Sequence, residues 1–146
     1  MIACSCHGTA KKLYAGVTGP EMLKNKAFFE ELDPLEQRMT QLRQILQEQN
    51  PTLDLDVFSL HDPFGPTVEG ADIEVIFVSE ETRPFTEEKI NGARKERGLP
   101  LLDIISVPLL LPPNNFSSNG AKLSSTQLRK RVWEAKRLSE DNKRSI

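Results

Sequence analysis

Four consecutive apolar residues, Val75-Ile76-Phe77-Val78, limit the folds open to this chain more than any other feature. A strand with one wet face alternates apolar and polar side chains. An unbroken apolar run predicts a strand covered on both faces, as in a parallel sheet. The surrounding sequence supplies partners and covers. Residues 13–17 form a short apolar run ending at Thr18-Gly19-Pro20, residues 53–57 alternate with period two, and residues 104–107 are again strand-like. Between them lie helices. Asp33-Pro34-Leu35-Glu36 offers a capping Asp, Pro at the first helical position and Glu three residues after the cap. Leu35, Met39, Leu42 and Leu46 then recur at helical spacing up to Asn50-Pro51. A second helix opens at Thr86-Glu87-Glu88 and closes at Gly98, and a basic helix runs over residues 124–138.

This alternation predicts an α/β fold, a mostly parallel sheet with helices on both faces. Right-handed crossovers then place ligands at the carboxyl ends of the strands. The phrases following the strands, residues 18–26, 61–67, 79–86 and 114–129, are where chemistry belongs.

A chain of 146 residues suits one domain, expected over residues 1–138 with a polar, disordered tail at 139–146. A net charge of −2 argues against nucleic acid as the main partner, although the C-terminal helix is locally basic. No stretch approaches the roughly 20 apolar residues of a membrane span. Cys4 and Cys6 stand too close to bridge in regular structure, which points to a reducing, cytoplasmic setting. With His7 they make one ligand too few for a metal site, and small buried thiols are the plainer reading.

Near the C-terminus, Lys122-Leu123-Ser124-Ser125-Thr126-Gln127-Leu128-Arg129 reads as a loop entering a helix. Its start combines free backbone N–H groups, three hydroxyls and a fork-shaped guanidinium, a set suited to phosphate oxygens. The plain alternative is a surface helix capped by Ser124 or Ser125.

Several phrases together resemble one family. They are Gly16-Val17-Thr18 with Leu23 and Lys26, Pro34 with Arg38, and Asp62-Pro63-Phe64-Gly65-Pro66-Thr67. Val78-Ser79-Glu80-Glu81-Thr82 follows, then Ile90-Asn91, Arg94, Arg97-Gly98-Leu99-Pro100, and Ser124-Ser125-Thr126 with Arg129. In this order they resemble the phosphopantetheine adenylyltransferases of archaea and of eukaryotic coenzyme A synthase proteins. The resemblance implies a Rossmann-like nucleotidyltransferase fold. It also implies transfer of AMP from ATP, with magnesium, to 4'-phosphopantetheine, giving dephospho-coenzyme A and pyrophosphate; coenzyme A is a further ligand. By the same resemblance Lys26, Thr18 and Arg94 would contact phosphate or substrate. Ser124, Ser125, Thr126, Arg129 and Thr82 would contact ATP, with Asn91 beside the nucleotide.

The family also carries a first strand followed by H-x-G-H, and neither is present here: His7-Gly8-Thr9 lacks the spacing, and His61 precedes a turn. Met1 to Cys6 resembles the tail of the helix after that motif. The expectation is an N-terminally truncated domain lacking its central strand, with no catalytic residue assigned. Two apolar strand edges, near residues 13–17 and 75–78, would then lie open to rearrangement or association. Losing preorganised phosphate donors costs about 10²–10³ in rate for each donor. Two other readings stand beside this one. One is a non-catalytic nucleotide-binding or oligomerisation module of the same fold. The other is a nucleotidyltransferase acting on nicotinamide mononucleotide or using CTP.

Overall fold

The structure, a computed structural model, describes the backbone of residues 2–5, 12–70, 72–108 and 124–144. The loop at 112–120 and Lys122-Leu123 lie outside the described residues. The chain forms two compact units, one of residues 1–22 and 34–108, the other of residues 23–33 and 109–146. Residues 23–33 take their packing partners from the C-terminal helix, which is why they separate from the strands on either side.

Unit one is built on a five-stranded sheet in the order β3-β2-β1-β4-β5. The strands are β1 (Ile2–Ser5), β2 (Lys12–Thr18), β3 (Asp54–Leu60), β4 (Val75–Ser79) and β5 (Asp103–Val107). β2 and β3 pair in parallel from Lys12 opposite Asp54 to Thr18 opposite Leu60. β4 and β5 do the same from Val75 opposite Asp103 to Ser79 opposite Val107. These are the expected parallel pairs. The apolar run that led to them is nearly dry, with Val75, Ile76 and Val78 all buried.

The centre of the sheet corrects the sequence reading. Residues 2–5 are not a helix tail: they form β1, antiparallel to both β2 and β4, with Ile2 opposite Ala15 and Phe77. The slot of the absent strand is therefore occupied, and the sheet is mixed. The physical reason is the one that made the open edges improbable. Unpaired N–H and C=O groups between two apolar strands are satisfied at least entropic cost by the adjoining chain folding back.

Helix α1 (Leu35–Gln49) begins one residue later than predicted, with Pro34 in the capping position and no side-chain cap. Leu35, Met39, Leu42 and Leu46 pack on Ala15, Val17 and Val57, as their spacing predicted. On the other face Ile76, Val78, Val68, Ile73, Ile90 and Leu102 form a second cluster against which Tyr14 packs. Neighbouring residues of β2 thus point to opposite faces, each covered by helical structure.

The predicted helix after Thr86 is three consecutive pieces: α2 (Arg83–Phe85), a π-helix (Thr86–Ile90) and α3 (Asn91–Glu96). It closes where Gly98 adopts φ +68°. Leu99 N–H then bonds the Arg94 carbonyl (2.9 Å) and Gly98 N–H the Lys95 carbonyl (3.1 Å), a Schellman closure.

Unit two contains α4 (Ser125–Arg144), which runs past Ser139 where a disordered tail was expected. Ser139 Oγ bonds the Lys136 carbonyl instead of interrupting the helix. Trp133 of α4 packs on Phe28 at 5.6 Å between ring centroids, and Lys136 pairs with Glu31.

Candidate functional site

In unit one, the described pairing of β1 runs to Ile2, opposite Ala15 of β2 and Phe77 of β4, and residues 16–18 and 78–79 lead on to the carboxyl ends of those strands. A cavity of about 750 Å³ lies at these strand ends, lined by Phe77, Val78 and Ser79 of β4, Val107 of β5, Leu60 of β3, and Pro63, Thr82, Phe85 and Thr86. Gly16 lets the β3 side chains close in: a Cβ there would meet Leu60 Cδ1 at 3.2 Å and Phe58 Cζ at 3.3 Å. One wall belongs to the π-helix, an uncommon geometry that recurs at functional sites.

The cavity's chemistry is specific. Its lining is apolar except for one corner of hydroxyls, where Ser79 Oγ and Thr82 Oγ1 stand 3.1 Å apart. Thr86 is fully buried and donates to the Thr82 carbonyl. Among the described residues no lining side chain carries a charge, so this part of the cavity suits the uncharged part of a ligand rather than its phosphates. Thr82, assigned to the nucleotide, is on this wall. Thr18 ends β2, and its carbonyl accepts from Arg38 Nη1 at 2.9 Å.

Arg94 is placed otherwise than the resemblance implied. Its side chain is completely buried. Nε donates to the Pro100 carbonyl, Nη1 to those of Thr67 and Gly70, and Nη2 to that of Ile73. Burial without a directly paired carboxylate pushes its pKa down from the ordinary value, partly offset by Asp72. With no exposed surface, this guanidinium has nothing to offer a phosphate. Asn91 is engaged in the same way: its amide donates to the Leu102 carbonyl (3.1 Å) and accepts the Leu102 N–H (2.8 Å). Both residues hold the backbone on which the cavity is built.

In unit two, Ser124 caps α4: its Oγ accepts Thr126 N–H at 3.2 Å, and its carbonyl accepts Leu128 N–H at 3.1 Å. Arg129 donates from Nη2 to Thr126 Oγ1 (3.0 Å) and from Nε to the Ala27 carbonyl (3.3 Å). Residues 26–27 and the first turn of α4 are thereby brought together, although they are a hundred residues apart. Lys26 and Ser125 are exposed there. The helix start thus carries the expected hydroxyls and guanidinium, and the plain cap and the phosphate reading share the same atoms.

Two contacts were not visible in the sequence. His61 Nδ1 lies 2.9 Å from Glu21 Oε1, and Asp62 makes the turn that His61 precedes, accepting Phe64 and Gly65 N–H groups. Only the Asp-Pro-Phe-Gly phrase signalled the second of these.

The fold is that of the Rossmann-like nucleotidyltransferases. A solved structure, a protein of unknown function from Archaeoglobus fulgidus, superposes with a TM-score of 0.55 at 24% identity, over 64% of this chain and 66% of its own. No protein-family model matches the chain. A phosphopantetheine adenylyltransferase of Pyrococcus furiosus is 35% identical over 117 residues, 80% of this chain and 69% of that protein. An uncharacterized protein of Schizosaccharomyces pombe is also 35% identical, over 125 residues, 84% of this chain. The chain spans only 39% of the length of that yeast relative. With such similarity over more than two thirds of the archaeal enzyme, the chain belongs to the phosphopantetheine adenylyltransferase family.

Proposed function

We propose that this chain is a ligand-binding portion of a pantetheine-phosphate adenylyltransferase of coenzyme A biosynthesis, working in the cytoplasm. The reaction joins ATP and 4'-phosphopantetheine. A phosphate oxygen of 4'-phosphopantetheine attacks the α-phosphorus of ATP, the bond to the β-phosphate bridging oxygen breaks, and pyrophosphate leaves with that electron pair. Such a transfer asks a protein mainly to align two anions and to stabilise the leaving charge.

The observation that carries this reading is the uncharged cavity at the strand carboxyl ends of a chain in this family. In the proposal the cavity takes the uncharged part of a substrate, with Thr82 and Ser79 as its polar contacts and Thr18 at the neighbouring strand end. The helix start with Ser124, Ser125, Thr126 and Arg129, together with Lys26, takes the ATP triphosphate. Arg94 has no part in binding. Among the described residues no group of three His, Cys, Asp or Glu side chains could cage a metal. Magnesium would come with the triphosphate, held chiefly by phosphate oxygens and water.

Neither histidine of the sequence stands in an H-x-G-H pattern. Turnover by these 146 residues alone is expected to be slow, down by about 10²–10³ for each phosphate donor lacking. That same lack favours a second reading, a nucleotide-binding module without turnover. Isothermal titration of the folded chain with ATP, 4'-phosphopantetheine and coenzyme A tests both. Heat with none of them removes both readings; dephospho-coenzyme A formation removes the second alone.

Among the described residues no helix is long and apolar enough to cross a membrane.

A further inference from the structure

Two strand ends are tied together in unit one. Gly19 donates its N–H to the Leu60 carbonyl at 2.8 Å, one rung past the last β2–β3 pair. That rung sets the following turn beside the residues after β3, where Glu21 Oε1 meets His61 Nδ1 at 2.9 Å across 40 positions of sequence. The contact needs glycine at position 19: a Cβ there would lie 2.6 Å from Glu21 Oε2 and 3.0 Å from the Leu60 carbonyl oxygen. The carboxylate is thus folded back over bare backbone and aimed at the ring.

The pair does little for stability. Its side chains are 64% and 49% exposed, and an exposed pair contributes at most about 1 kcal/mol. Its place is the informative part. His61 stands between Leu60 and Pro63, both of which line the cavity. Asp62, the carboxylate next to it in sequence, is engaged with the N–H groups of Phe64 (2.7 Å) and Gly65 (2.8 Å). With Nδ1 directed at Glu21, the other nitrogen, Nε2, is the one available to a ligand, and in the imidazolium it is an N–H donor. The cavity, whose described lining residues carry no charge, has beside it an imidazole held in one orientation by a carboxylate.

We propose that His61 is a phosphate-binding residue at this cavity and that Glu21 is its positioning residue. Nε2–H of His61 donates to a phosphate monoester whose uncharged tail occupies the cavity. The inference rests on the reading of that cavity as a substrate site and adds the group that recognises the substrate's phosphate.

The test compares 4'-phosphopantetheine with pantetheine, which differs from it only by the phosphate, in titrations of the whole chain. His61→Ala is expected to weaken 4'-phosphopantetheine about tenfold, the loss of one charge-assisted hydrogen bond, and to leave pantetheine unchanged. Glu21→Gln should weaken only the phosphorylated ligand, and by less. In proton NMR of the wild type, the ring signal missing from His61→Gln should shift with 4'-phosphopantetheine and stay put with pantetheine. Equal affinities for 4'-phosphopantetheine in wild type and His61→Ala would overturn the inference while leaving the proposed function standing. Equal losses for the two ligands would overturn it too, since the ring would then only shape the cavity. Absence of binding of both ligands by the wild type would end the inference together with the reading beneath it.

Discussion

Arg94 and Arg129 have the same side chain in opposite settings. Both fall in phrases that resemble ligand-binding motifs. Arg94 lies in a dry interior and donates to four main-chain carbonyls gathered from residues 67 to 100, which ties the segments after β3 and before β5 to α3. Arg129 is only half-buried, at the start of α4, and makes one carbonyl and one hydroxyl contact. A guanidinium has five N–H groups; how many remain for a ligand depends on what the fold has already taken. By that measure Arg94 belongs to the scaffold, and Arg129 is the one that the proposed function gives to the triphosphate.

Substitution separates the two sharply. Arg94→Met strips four main-chain carbonyls, two of them in fully buried contacts, of their donor, and should lower unfolding stability by about 3–5 kcal/mol, read in urea denaturation. A loss below about 1 kcal/mol would erase the contrast. Arg129→Ala should cost little stability but weaken ATP about tenfold to a hundredfold in titration, the worth of a charged hydrogen bond. Unchanged ATP affinity would return the α4 start to the plain role of a capped surface helix.

Gly98 tests the same scaffold at smaller cost. It sits at φ +68° with nothing within 4 Å of the position a Cβ would take, so the penalty of a side chain is backbone strain alone. Gly98→Ala should lower the stability of unit one by about 1 kcal/mol, detectable as a small fall in denaturation midpoint. A much larger loss would mean that the loop from Gly98 to Pro100, which presents a carbonyl to Arg94, tolerates no adjustment.

The two arginines also mark where sequence suffices. Local patterns were legible: the α1 stripe of Leu35, Met39, Leu42 and Leu46, the dry strand at Val75, and the Gly98 closure each follow from spacing within one element. What stayed hidden depends on partners distant in sequence. Arg94 and Arg129 look alike in a string of letters, because their surroundings are set by residues 20 to 30 positions away for Arg94 and about a hundred for Arg129. Residues 2–5 form a strand only because β2 and β4 leave a slot between them, and a four-residue segment has no periodicity of its own to announce it. His61 and Glu21 meet through a backbone rung at Gly19 that no motif records.

The smallest effect lies at Asp72, which stands between Gly70 and Ile73, two of the residues whose carbonyls Arg94 holds. Tyr14 donates its hydroxyl to Asp72 Oδ2 at 2.8 Å. That bond holds the Asp72 carboxyl below its ordinary value of 3.8 and raises Tyr14 above 10.0. The signs fix the window. A depressed carboxylate contributes stability above its unfolded pKa and loses it as pH falls through the folded one. A raised tyrosine contributes below its unfolded pKa and loses it as pH rises through the folded one. The contact therefore acts between roughly pH 4 and pH 10 and fades at both ends. Because both groups are open to solvent, its worth is about 0.5 kcal/mol or less. Tyr14→Phe should lower stability by that amount at pH 7 and by nothing near pH 2, measured by denaturation at each pH. A loss of several kcal/mol at neutral pH would mean that Asp72, rather than the four carbonyls, is what anchors Arg94, and the line drawn between scaffold and surface would have to move.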